Sequence, residues 1–125
     1  MSNKTFFITH AVIYALFAFA LFFLPTKLWP LYGLSINDQY ALFLSQHNSI
    51  FLGGIALFAF LFRQAPLKSP EAKKTIIGLI GTNLLGVAIT LYAAIQKVFV
   101  GFGWSDPIFF ALLAIWGFWQ LKNNQ

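Results

Sequence analysis

Apolar residues fall along this chain in four long blocks, and the gaps between them hold nearly all of the charge. The blocks run over about 6–24, 49–62, 75–95 and 107–121. None alternates with a period of two, which excludes a transmembrane β-barrel. A membrane-spanning helix needs about 20 apolar residues, within a range of about 17–25. The first and third blocks meet that length directly. The second is short alone, but Ser35, Asn37 and Asp38 are all suitable helix N-caps. From Asp38 to Phe62 only the tolerated pair Gly53–Gly54 interrupts a helix. A helix of that length rises roughly 37 Å. Its first turns then reach the interface or tilt, and the span proper is placed at 45–62. The fourth block opens on Ser105-Asp106-Pro107, which predicts a capping acid followed by proline at the first helical position. Trp104 at one end and Trp116 and Trp119 at the other predict interfacial anchors, which make a short span workable. The prediction is an all-α polytopic membrane protein: a single domain over residues 1–125, folded as a four-transmembrane-helix bundle.

Composition strengthens this reading. Only 9% of the 125 residues are charged and 59% are hydrophobic, whereas a soluble domain carries about 25% charged residues. So short a soluble chain has much surface to cover with polar groups, and lipid removes that need. The net charge of +5 concerns topology, since the basic residues sit in the gaps; nucleic-acid binding is not expected. Lys4, Arg63, Lys68, Lys73, Lys74 and Lys122 fall on one side of a four-span chain, and Lys27 and Lys97 on the other. The positive-inside rule then puts both termini in the cytoplasm. Arg63–Lys74 reads as a tight cytoplasmic turn with Pro66 and Pro70 as breakers, and contact with anionic head groups is a secondary role for it. The first block is longer than the apolar core of a signal peptide, and Ala18-Phe19-Ala20 lies inside it rather than after it, so it is expected to stay as a span. The chain has no cysteine, which excludes disulfides, thiol catalysis and iron–sulfur ligation.

Packing is expected to follow small residues. Gly78, Thr82, Gly86 and Thr90 recur at a stride of four, which predicts a packing groove along the third span. Ala11, Ala15 and Ala18 on the first span, and Ala111, Ala114 and Gly117 on the fourth, offer complementary faces. The third span is therefore expected at the centre, with a homodimer face as the alternative use of its stripe.

Polar residues inside spans mark the candidate chemistry. Helix rise puts Asn48 roughly 21 Å, Thr90 roughly 22 Å and Tyr92 roughly 25 Å from the cytoplasmic ends of their helices. With His47 beside Asn48 and Asp106 at the outer end of the fourth span, an outward-facing pocket lined by His47, Asn48, Thr90, Tyr92 and Asp106 is a candidate ligand site. The contiguous run Ser45–Ser49 points around the whole helix, so the competing reading places it among head groups. His10 and Tyr14 share a face, and Tyr14 and Asn83 both lie roughly 12 Å deep. Interhelical hydrogen bonds among His10, Tyr14 and Asn83 are expected to hold the bundle. His10 and His47 lie too far apart in depth to share an iron, and no local spacing supplies three or four zinc ligands; no metal or other cofactor is implied. No acid lies within an expected span, which argues against proton-coupled export.

The stretch Gly81-Thr82-Asn83-Leu84-Leu85-Gly86 resembles the Asn-bearing helix of small four-helix fluoride channels. The resemblance covers one helix. The Phe/Thr/Ser-rich break of their third helix has no counterpart in Phe99–Phe110, so no residue role is carried over. In architecture the chain is similar to small four-span bacterial membrane proteins, a likeness that transfers no function; the expected location is the bacterial inner membrane. The first functional expectation is a non-enzymatic accessory or assembly subunit, or a small homo-oligomer, whose partners are the lipid bilayer and another membrane protein or a second copy. The second is a binder or carrier of a small apolar molecule, quinone or lipid. The third is an enzyme on a lipid-soluble substrate, with His47 and Asp106 as an acid–base couple.

Overall fold

Three of the four long helices begin on a side-chain oxygen that accepts from an otherwise unpaired backbone N–H. Ser2 accepts from Thr5 at 3.2 Å, Asp38 from Ala41 at 2.8 Å, and Ser69 from Ala72 at 3.1 Å. A computed structural model, which describes residues 2–125, shows α1 (Asn3–Phe23), α2 (Pro25–Leu28), α3 (Gln39–Leu61), α4 (Pro70–Ile95) and α5 (Ser105–Asn123). The described residues contain no strand. α1, α3, α4 and the helical stretch Gly101–Asn123 are each long and apolar enough to cross a membrane. The protein is thus an all-helical, multi-pass membrane bundle.

Local chemistry sets the helix ends. α1 stops at Leu24 because the residue before a proline is driven out of the α region, and Pro25 then opens α2 at its first position. A 3₁₀ turn, Trp29–Tyr32, follows and closes on Gly33 at a left-handed φ of 81°. Pro70 does not break the second loop, as the sequence suggested. It occupies the first turn of α4 behind the Ser69 cap, where a proline loses no hydrogen bond. α4 therefore starts five residues before the expected 75. α5 also differs from expectation, because Asp106 does not cap it. A 3₁₀ turn, Gly101–Trp104, runs straight into the helix, and the Asp106 carboxylate turns to Tyr32 instead.

The helices associate as two close pairs, α1 with α3 and α4 with α5. In the first pair Gly53 comes up against Ala18, where a Cβ on the glycine would stand 3.8 Å from the alanine methyl. In the second, Gly86 receives the Phe110 ring and Gly117 receives Ile80. The pairs meet through larger side chains: Phe6, Phe7, Ile76, Leu79 and Ile80 form the core with Ala11 and Ala59. α1 supplies its bulkiest members, and α4 is not the hub expected of it. The stripe Gly78–Thr82–Gly86–Thr90 is not one seam either. A stride of four turns a helix by about 40° beyond a full circle, so the stripe winds from one neighbour to the next. Gly78 and Thr82 line a groove toward α3, Gly86 meets α5, and Thr90 faces the cavity described below. Trp116, an expected interfacial anchor, packs inward on Phe6 at 5.1 Å and His10 at 5.7 Å between ring centres. Trp104 and Trp119 stay exposed. Between 11% and 33% of each span's apolar window is buried. The remaining apolar surface faces outward all round the bundle, as a hydrocarbon solvent requires.

Candidate functional site

The polar run of α3 divides by direction. Ser45 is buried and bridges two elements: it donates to the Leu21 carbonyl at 2.9 Å and accepts from the Trp29 indole N–H at 2.9 Å. Gln46 donates to the Phe22 carbonyl at 3.2 Å. Leu21 and Phe22 are in the last turn of α1, where carbonyls have no partner along the helix. These two side chains therefore satisfy the end of α1 and fix Trp29 above it. Neither the head-group reading nor the pocket reading of Ser45–Ser49 had anticipated this role. Asn48 is itself exposed but borders a cavity. His47, about 100° away around the helix, is also exposed; it stacks on Phe43 and meets Phe51 edge-on.

Asn48 looks into a cavity of about 400 Å³ at the end of the bundle remote from the termini. All four long helices wall it: Phe17 and Leu21 from α1, Phe51 and Leu52 from α3, Ile89 and Thr90 from α4, Asp106 and Phe110 from α5. Leu28, Trp29, Tyr32 and Phe99 cover its outer end. Of the five expected pocket residues, the structure gathers Asn48, Thr90 and Asp106 here. His47 and Tyr92 are absent from the wall. Tyr92 is 67% exposed on the outside of α4, and His47 is not among the residues that border the cavity with Asp106. Adjacent helical positions share a depth but not a direction, which is why depth alone mistook these two.

The cover is built from rings. Tyr32 makes edge contacts with Trp29 at 5.2 Å, Phe99 at 5.1 Å and Phe102 at 5.7 Å, and Trp29 stacks on Phe99 at 6.1 Å. Gly103 admits this packing, because a Cβ there would stand 2.6 Å from Phe99. The two segments of the cover are joined by Val100 N–H donating to the Tyr32 carbonyl at 2.9 Å. Below it the Tyr32 hydroxyl donates to Asp106 Oδ1 at 2.7 Å. Burial, and then the Asp106 carboxylate it bonds, push the Tyr32 phenol well above its ordinary range, so it remains a donor. Thr90 donates to the Gly86 carbonyl. The Asn48 amide and Asp106 Oδ2 take no hydrogen bond from a described residue.

Two further polar assemblies lie elsewhere. In the middle of the bundle Tyr14 donates to Asn83 Oδ1, Asn83 Nδ2 lies 3.2 Å from His10 Nε2, and His10 Nδ1 lies 3.0 Å from the Phe6 carbonyl. With the proton on Nδ1 every bond runs in one sense, and all three side chains are buried. This is a closed structural chain. At the terminal end, Asn3 and Asn124 exchange amide hydrogen bonds at 2.8 Å each. Gln120 donates to Asn3 at 2.8 Å, and Lys68 N–H donates to Asn124 at 2.9 Å. Lys68 takes a left-handed φ of 66°, uncommon outside glycine, in making that bond. This clasp was not read from the sequence, where its residues look like solvated ends. A depression beside it carries Lys4 and Arg63, but the Arg63 guanidinium is already engaged with the Phe60 carbonyl at 2.8 Å and lies over the Phe60 ring at 3.9 Å. Among the described residues no cluster of three or more potential ligands could hold a metal. No family model, curated protein or solved structure matches the chain.

Proposed function

We propose that this protein is a membrane-embedded binder or carrier of a small lipid-soluble molecule, and that the molecule occupies the outer cavity. The carrying observation is a space of about 400 Å³ between four helices, mostly apolar in its walls, with an unengaged amide and carboxylate oxygen. Small-molecule sites in helical bundles have this character: about 300–1,000 Å³, apolar walls and a few convergent polar groups. The accessory-subunit reading rests on the outward apolar surface, which lipid already accounts for. The acid–base reading has less support, because His47 is not among the cavity's lining residues. Six of the eight basic residues, and both termini, lie at the end opposite the cavity. The positive-inside rule then supports cytoplasmic termini and a cavity near the outer leaflet, and the architectural likeness supports a bacterial inner membrane.

Native mass spectrometry of the protein released from its own membrane tests the proposal. A retained small-molecule mass is expected. Leu52→Trp, which fills the cavity, should abolish it, and Asn48→Ala should weaken it. His47→Ala and Tyr92→Phe should leave it unchanged, because neither side chain reaches the wall. Absence of any retained mass, or loss on His47→Ala with Leu52→Trp unaffected, would remove the proposal.

A further inference from the structure

We infer that the molecule bound in the cavity carries a protonated amine, seated against Asp106 beneath Trp29, Tyr32 and Phe99. The inference rests on the cavity being a binding site and deepens it to a ligand class. Asp106 is the only charged residue among the lining side chains, and none of them is basic. Its Oδ1 accepts from Tyr32 at 2.7 Å, and its Oδ2 receives no hydrogen bond from a described residue. A carboxylate among apolar groups is costly unless a counter-charge and further hydrogen bonds accompany it. An ammonium supplies both, donating to Oδ2 without displacing Tyr32.

The walls at this end favour the same group. Trp29, Tyr32 and Phe99 border the cavity together, and aromatic rings attract a cation within about 6 Å of their centres. An acid accompanied by rings of this kind suits an ammonium better than it suits a neutral head. A quinone presents only acceptor oxygens. Asp106 already acts as the acceptor for Tyr32, so of the unengaged polar groups only the Asn48 amide can donate to a carbonyl. The apolar remainder of the ligand lies along Phe110 and the other hydrocarbon walls, which gives an amine with an alkyl or aryl tail.

Two probes matched in size decide the point: 4-phenylbutylamine and 4-phenylbutanol, titrated calorimetrically into the protein in lipid nanodiscs. The wild type should bind the amine at least about tenfold tighter than the alcohol, a difference of about 1.4 kcal/mol. Asp106→Asn keeps the shape and an acceptor for Tyr32, and should bring the two affinities together. Asp106→Glu keeps the charge and should retain the preference. If wild type binds both probes alike and Asp106→Asn changes neither, the amine assignment is wrong while the cavity stands as a binding site. Should neither probe bind and no mass be retained from native membrane, both the assignment and the proposed function fall. The wild-type comparison needs no variant to fold.

Discussion

Asn83 joins two helices through two different bonds, accepting from Tyr14 and pairing with His10. Removing it strands two buried partners, whereas removing the Tyr14 hydroxyl leaves the Asn83–His10 bond in place. Asn83→Ala should therefore cost about 1–3 kcal/mol, the usual consequence of unsatisfied buried groups. Tyr14→Phe should cost nearer the average of about 0.6 kcal/mol for a membrane hydrogen bond. Reversible unfolding in mixed micelles measures both, and equal effects would contradict the chain as described. Helix rise alone brings Tyr14 and Asn83 to one level, so this meeting was visible in the sequence. The choice between His47 and Asn48 was not, because neighbouring residues share a level and differ in direction, and direction depends on where the other helices stand. The Asn3–Gln120–Asn124 clasp was hidden for a different reason. Amides near chain ends satisfy themselves in water, and nothing local says that both ends arrive at one place.

Among the helices, steric allowance is concentrated where the close pairs touch. A Cβ on Gly117 would stand 2.6 Å from Ile80 Cγ1, and Ile80 is buried and β-branched, with little rotameric freedom in a helix. Gly117→Ala should cost about 1–3 kcal/mol through overpacking. A Cβ on Gly78 meets nothing within 4 Å, so Gly78→Ala should be neutral or stabilise by up to about 1 kcal/mol through helix propensity. Thermal denaturation of the two variants side by side checks the contrast. Its reversal would mean that the small-residue stripe packs as one face after all. The helices themselves were legible, since apolar length and the cap at Asp38 are properties of the sequence; the cap at Ser69 was hidden, because Pro70 beside it reads as a breaker. Their partners were not. A regular stride of four suggests a single seam, yet it winds around α4 and touches several neighbours. The bend at Leu24–Pro25 was also unused in the reading, although it is what carries Trp29 and Tyr32 back over the bundle.

At the scale of the whole molecule, the native absence of cysteine makes single-cysteine labelling clean. Gln64→Cys and Gln125→Cys should react together from one side of the membrane, and Asn37→Cys and Gln96→Cys from the other. With the proposed orientation the first pair is shielded from an impermeant maleimide added to intact cells. Opposite behaviour of Gln64 and Gln125 would break the four-span arrangement. The outer cavity adds a property of its own. Phe51 and Ile89, on its α3 and α4 walls, are 62% and 66% exposed, so the cavity opens sideways into hydrocarbon between those helices. Whatever reaches it that way has first dissolved in the bilayer, where a greasy solute accumulates far beyond its aqueous level. Occupancy then follows the mole fraction in the leaflet, and a site of weak intrinsic affinity can remain full while water outside contains almost none of the compound.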